Sequence, residues 1–118
     1  MAVNKVLLGN DIAAVWNIAN ANLSGTIYLY MITPNSKELI PVNIVTATKL
    51  TFDVPADIQK LGDVRFDLKW KEGTYNRRLV VNKIIEFVDN PESVTSQSRI
   101  ITTITLTTTG VNTTINVT

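Results

Sequence analysis

The chain has 118 residues, of which 45 % are apolar, enough for one domain with a packed core. Its formal net charge is +1, so no whole-molecule field draws it to nucleic acid or to an anionic membrane, and neither is expected as a partner. It has no cysteine and no histidine, which removes disulfides, thiolate nucleophiles, the imidazole base and the ordinary zinc and iron ligand sets. These absences remove the commonest catalytic machinery, and although carboxylate chemistry remains possible in principle, the chain is expected not to be an enzyme and to need no cofactor. Met1 to Lys5 lacks the apolar run and cleavage site of a signal peptide, and no stretch reaches the roughly 20 apolar residues that span a bilayer. The expectation is a soluble protein made in the cytoplasm.

Val3 to Leu8 is a short apolar segment closed by the turn pair Gly9-Asn10. Asp11 to Ile18 places Ile12, Ala14, Trp16 and Ile18 on one side and reads as a strand, although its alanines would also suit a helix. Thr26 to Thr33 is β-branched and aromatic, with Ile27, Leu29 and Met31 on one face and Tyr28, Tyr30 and Ile32 on the other. Pro34 to Lys37 is a turn, and Glu38 to Thr46 returns, kinked or at an edge at Pro41, which cannot donate to a ladder. Thr48 to Val54 alternates cleanly, with Leu50, Phe52 and Val54 inward. Pro55 to Gly62 reads as one helical turn ended by Gly62, with Ile58 and Leu61 plugging an end of the core.

The strongest signal is the hairpin from Asp63 to Val81, continuing to Val88. Val64, Phe66, Leu68 and Trp70 share one face and Arg65, Asp67, Lys69 and Lys71 the other, and Glu72-Gly73 supplies the turn. About seven strands at roughly ten-residue spacing, with one short helical link, predict an antiparallel β-sandwich of immunoglobulin-like type over residues 1–90. A polar linker is expected over 91–99. The segment 100–118, almost entirely threonine with Ile, Leu and Val, is expected to be a separate β extension. Two such strands would be marginal alone, so pairing with another copy or the start of a fibre is the favoured reading, against a local hairpin on its own domain. On that reading, removing residues 92–118 leaves a folded monomer that no longer assembles.

Arg77 and Arg78, with Lys69, Lys71 and Lys83, form the only basic cluster. Asp67 and Glu86 lie among them, and cross-strand ion pairs explain the cluster better than phosphate contacts do. Trp16 and Trp70 could stack on carbohydrate, but both occupy inward positions, where core packing is expected. Asp53, Asp57 and Asp63 flank the helical link without the spacing of a calcium loop. Tyr28 and Tyr30 share an outward face and are candidate interface residues. In the Thr-rich segment the candidates are Ile100, Ile104, Leu106, Val111, Ile115 and Val117.

The progression Gly9-Asn-Asp11, Trp16, Leu23 to Leu29, Thr33-Pro-Asn35, Leu50 to Val54, Asp57 to Gly62 and Val64 to Leu68 resembles the small immunoglobulin-like N-terminal domains of tailed-phage structural proteins. It is similar in particular to the attachment domains of baseplate upper and fibre proteins, including those of phages infecting Bacteroides. Where that family has a tyrosine at the start of the strand after the glycine turn, this chain has Val64. The resemblance implies a virion structural protein, an adaptor that anchors a fibre or appendage to tail, baseplate or head. Its implied partners are other phage structural proteins and further copies of itself, and its implied location is the virion. A second reading, from another class, is a carbohydrate- or host-surface-binding module that uses Tyr28, Tyr30 and Tyr75.

Overall fold

A computed structural model of the chain describes residues 4–90, 101–109 and 112–117. Ten strands are present among them: β1 (Asn4–Leu7), β2 (Asp11–Ile18), β3 (Tyr28–Thr33), β4 (Ser36–Ile40), β5 (Val42–Thr46), β6 (Lys49–Val54), β7 (Gly62–Glu72), β8 (Tyr75–Val88), β9 (Ile101–Thr109) and β10 (Asn112–Val117). They form two five-stranded sheets, ordered β1-β8-β7-β3-β4 and β10-β9-β2-β6-β5. The all-β sandwich expected from strand spacing is the fold observed. The runs β8-β7-β3-β4 and β2-β6-β5 follow the G-F-C-C′ and B-E-D strand orders of immunoglobulin-type sandwiches.

The alternation in each strand decides what goes inward. Ile12, Ala14, Trp16 and Ile18 of β2, Leu50, Phe52 and Val54 of β6, and Val64, Phe66, Leu68 and Trp70 of β7 are all buried in one core. Phe66 sits at its centre, tilted against Trp16 at 6.1 Å and edge-on to Phe52 at 5.6 Å, spacings at which aromatic rings attract beyond their buried area. The two tryptophans are therefore core residues. The helical link shrinks to a 3-10 turn over Ala56–Ile58. Gly62 does not end that turn but opens β7 at a φ of 116°, where its missing Cβ makes room for the ring of Pro34.

Four expectations need correction. The run from Glu38 to Thr46 is two strands in different sheets, because Pro41 has no N–H to continue the ladder and the chain changes sheets there. Together with β9 and β10 this raises about seven strands to ten. The pairing is not wholly antiparallel, since β1 runs parallel to β8 and β9 parallel to β2. Leu61 does not plug the core: it is 56 % exposed, and the buried residue of that link is Gln59. The Gln59 amide donates to the carbonyls of Asn10 and Val54 and its oxygen accepts from Gly9 N–H, which ties the link to the turn after β1.

The largest correction concerns the Thr-rich end. β9 pairs with β2 from Asp11 opposite Ile101 to Ile18 opposite Thr108, so it belongs to the domain and is not an appended extension. Ile104 and Leu106 are buried at 2 % and 0 % exposure, in the core, and are not interface residues. Alternation supplies the reason. Ile104, Leu106 and Thr108 face inward while Thr103, Thr105 and Thr107 take the other side, and the buried hydroxyl of Thr108 accepts a hydrogen bond from the Trp16 indole at 2.8 Å. The 92–118 truncation would therefore remove a core strand, not a detachable arm. The proposed linker over 91–99 lies outside the described residues, as do Ile100 and Val111.

Candidate functional site

The sheet formed by β4, β3, β7 and β8 has one face on the core and one turned outward. Strand register brings Val80, Asp67, Tyr30 and Leu39 into one row across that outer face, with Arg78, Lys69 and Tyr28 in the next row. Leu39, Tyr28 and Val80 are 56 %, 48 % and 43 % exposed, apolar area that the domain itself leaves uncovered. Tyr28 and Tyr30 thus share the face that alternation assigned to them, with Tyr30 the more covered of the two.

Tyr30 is covered by cations. The Lys37 ammonium lies 4.5 Å from its ring centroid and the Lys69 ammonium 6.0 Å, both within the range of cation–π attraction. Asp67, although on the outward side of β7, is only 4 % exposed. Arg78 clamps its carboxylate with two hydrogen bonds, from Nε and Nη2, each 2.9 Å long. That bidentate bond holds the Asp67 carboxyl below its ordinary range, opposed by burial and helped by the charges of Arg78, Lys69 and Lys37. The cross-strand ion pair expected within the basic cluster is thus Asp67–Arg78.

A second carboxylate organises the hairpin end. Glu72 accepts from Asn22 N–H at 2.8 Å, from the Trp70 indole at 3.0 Å and from Arg77 Nε at 3.2 Å. The Asn22 hydrogen bond is the main cause that lowers its pKa, followed by the Trp70 indole. These bonds join the loop between β2 and β3 to the β7–β8 turn. Sequence reasoning missed this network, because nothing near Glu72 in the chain signals a partner fifty residues away.

The remaining sequence candidates separate. Ile115 is partly buried against the core, and Val117 lies in β10 opposite Ile104. Tyr75 is 67 % exposed beside Arg77, and the Lys83 side chain lies outside those described. Leu39 and Val80 were not singled out from sequence. Both sit at outward positions of alternating strands, the one signal that could have found them. Among the described residues no group of three or more acidic side chains is placed to hold a metal ion, and no buried side-chain nitrogen or oxygen lacks a hydrogen-bond partner. No helix is long and apolar enough to cross a membrane, among the described residues. No family model, curated protein or solved structure matches the chain.

Proposed function

We propose that this protein works by docking and not by catalysis, as a structural adaptor of a tailed-phage virion that joins a fibre or appendage to its neighbour. The observation that carries the reading is the outer face of the first sheet, where Leu39, Tyr28 and Val80 stay exposed around the Asp67–Arg78 pair. An apolar surface surrounding a charge pair that is already satisfied can be covered without leaving a buried charge alone. The virion assignment rests on the resemblance to phage attachment domains.

The occupant is a different structural protein and not a second copy on this face. Lys37, Arg65 and Lys69 would meet themselves across a two-fold contact, whereas an acidic rim on another protein would complement them. Contacts between copies fall instead to the outer edge of β10, the terminal strand of the second sheet, which carries no charged residue over Asn112–Val117. Ile104 and Leu106 play no part in them. Mass spectrometry of purified particles of the phage that encodes the chain tests the assignment. The expected result is this chain at a fixed ratio to the other structural proteins; its absence from particles that are otherwise complete would refute the adaptor role.

A further inference from the structure

The loop ahead of β3 and the β7–β8 hairpin enclose an open groove of about 930 Å³. Lys69, Lys71, Arg77 and Arg78 line it, together with Tyr28 and Trp70. The two arginines are already engaged, Arg77 by Glu72 and Arg78 by Asp67. These are the only ion pairs among the described residues; Lys71 is in neither, and Lys69 acts on Asp67 only through its charge, 6.0 Å from the Tyr30 ring, so neither ammonium is tied into an ion pair.

Counting Asp67 and Glu72 with the four cations gives the groove a net +2. The rest of the chain then holds seven basic against eight acidic residues, a net −1. Beside the groove on the same outer face stand Arg65 and Lys37, too few cations for the phosphate row of a long polyanion such as nucleic acid, while a short ligand with closely spaced anionic groups needs no more than the groove supplies. Tyr28 is half exposed and offers a flat apolar face to the groove, and Ser24 and Thr26 line the same groove. A puckered sugar ring lays its C–H face on such a flat aromatic, and an acidic sugar adds the hydroxyls and anionic groups that the polar and cationic walls would meet.

We infer that this groove binds a short acidic saccharide, with Lys69 and Lys71 meeting its anionic groups and Tyr28 stacking on a sugar ring. The inference does not depend on the adaptor reading, although the groove shares Tyr28, Lys69 and Arg78 with the docking face; Lys71→Glu changes the groove alone and Leu39→Asp/Val80→Asp the docking face alone. Loss of saccharide binding with particle incorporation intact, or the reverse, separates the two.

The test is a titration of the intact chain followed by heteronuclear NMR, reading the Trp70 indole N–H and the amides of Lys69 and Lys71. The probes are trigalacturonate, its uncharged methyl ester, a sulfated heparin disaccharide and trithymidylate. Saturable shifts with at least one acidic sugar are expected. Affinity should be at least about tenfold weaker for the methyl ester than for trigalacturonate, and about tenfold weaker again for the acidic sugar on the Lys69→Glu/Lys71→Glu variant, each a difference of about 1.4 kcal/mol. Both lysines are exposed, so the variant should keep the wild-type spectrum elsewhere. Absence of saturation by either acidic sugar, equal binding of the methyl ester, indifference to the double variant, or tighter binding of trithymidylate would each overturn the inference.

Discussion

Replacing Thr108 by valine probes whether the Thr-rich strand is seated in the core. Valine keeps the shape of threonine, so Thr108→Val opens no cavity and changes one thing only, the hydroxyl. That hydroxyl accepts from the Trp16 indole N–H at 2.8 Å and bonds Thr113 at 2.9 Å, between residues 0 % and 3 % exposed in the case of Trp16 and Thr108. The Thr113 hydroxyl is partly exposed and can turn to water, so its loss costs little. The Trp16 N–H cannot. Leaving a buried donor unpaired costs about 1–3 kcal/mol. For a domain of this size that corresponds to a fall in Tm of roughly 4–12 °C. Urea unfolding followed by tryptophan fluorescence and by far-ultraviolet circular dichroism measures it, with Thr107→Val, on the exposed side of the same strand, as control. The control should lie within about 0.5 kcal/mol of wild type. If Thr108→Val behaved like that control, the Trp16 indole would not be using β9, and the placement of that strand would be wrong.

Three further outcomes follow from the same architecture. A chain ending at Asn90 loses β9 and uncovers β2 along its length, so it should show no cooperative melt by circular dichroism; a sigmoidal transition near the wild-type Tm would contradict the pairing of β9 with β2. Gly62→Ala places a Cβ 2.9 Å from two ring carbons of Pro34 at a φ of 116°, and should lower stability by about 1–3 kcal/mol in chemical denaturation. Asp67 has a folded pKa below its ordinary value, chiefly through the Arg78 hydrogen bonds, so its contribution is fully present above the ordinary carboxylate range and is lost as pH falls toward the folded value. Wild-type stability should therefore drop below about pH 5, and Asp67→Asn should flatten that slope while lowering stability at neutral pH; an unchanged slope in urea titrations across this range would remove Asp67 as its source.

Much of the fold is legible in the residue order, and the parts that are not have a common cause. Strands β2, β3, β6 and β7 announce themselves because each alternates over six or more residues, and their inward sets are the observed core. Pro41 marks a break, but only the topology shows that the break carries the chain from one sheet to the other. Ile104, Leu106 and Thr108 alternate as clearly as the others. Their meaning depends on β2, ninety-two positions away for the Thr108–Trp16 pair, and joined in parallel, which no local pattern encodes. Composition suggested a weak, detached hairpin because threonine buries little area by itself; pairing on both sides of β9 supplies what composition could not.

The candidate surfaces divide the same way. Tyr28 and Tyr30 were readable from one strand. Leu39 and Val80 acquire their significance only through the register that aligns them with Asp67 and Tyr30 across three neighbours. The groove likewise depends on Glu72 and Asn22 closing the loop ahead of β3 onto the hairpin.

On the proposed adaptor reading, the role of the outer face as a docking surface is tested most directly by the copy number of the Leu39→Asp/Val80→Asp variant in purified phage particles. Both residues are exposed, so the variant should fold and melt like wild type. The expected result is a chain that is folded in solution and depleted from particles. Incorporation at the wild-type ratio would show that this face is not the one that docks.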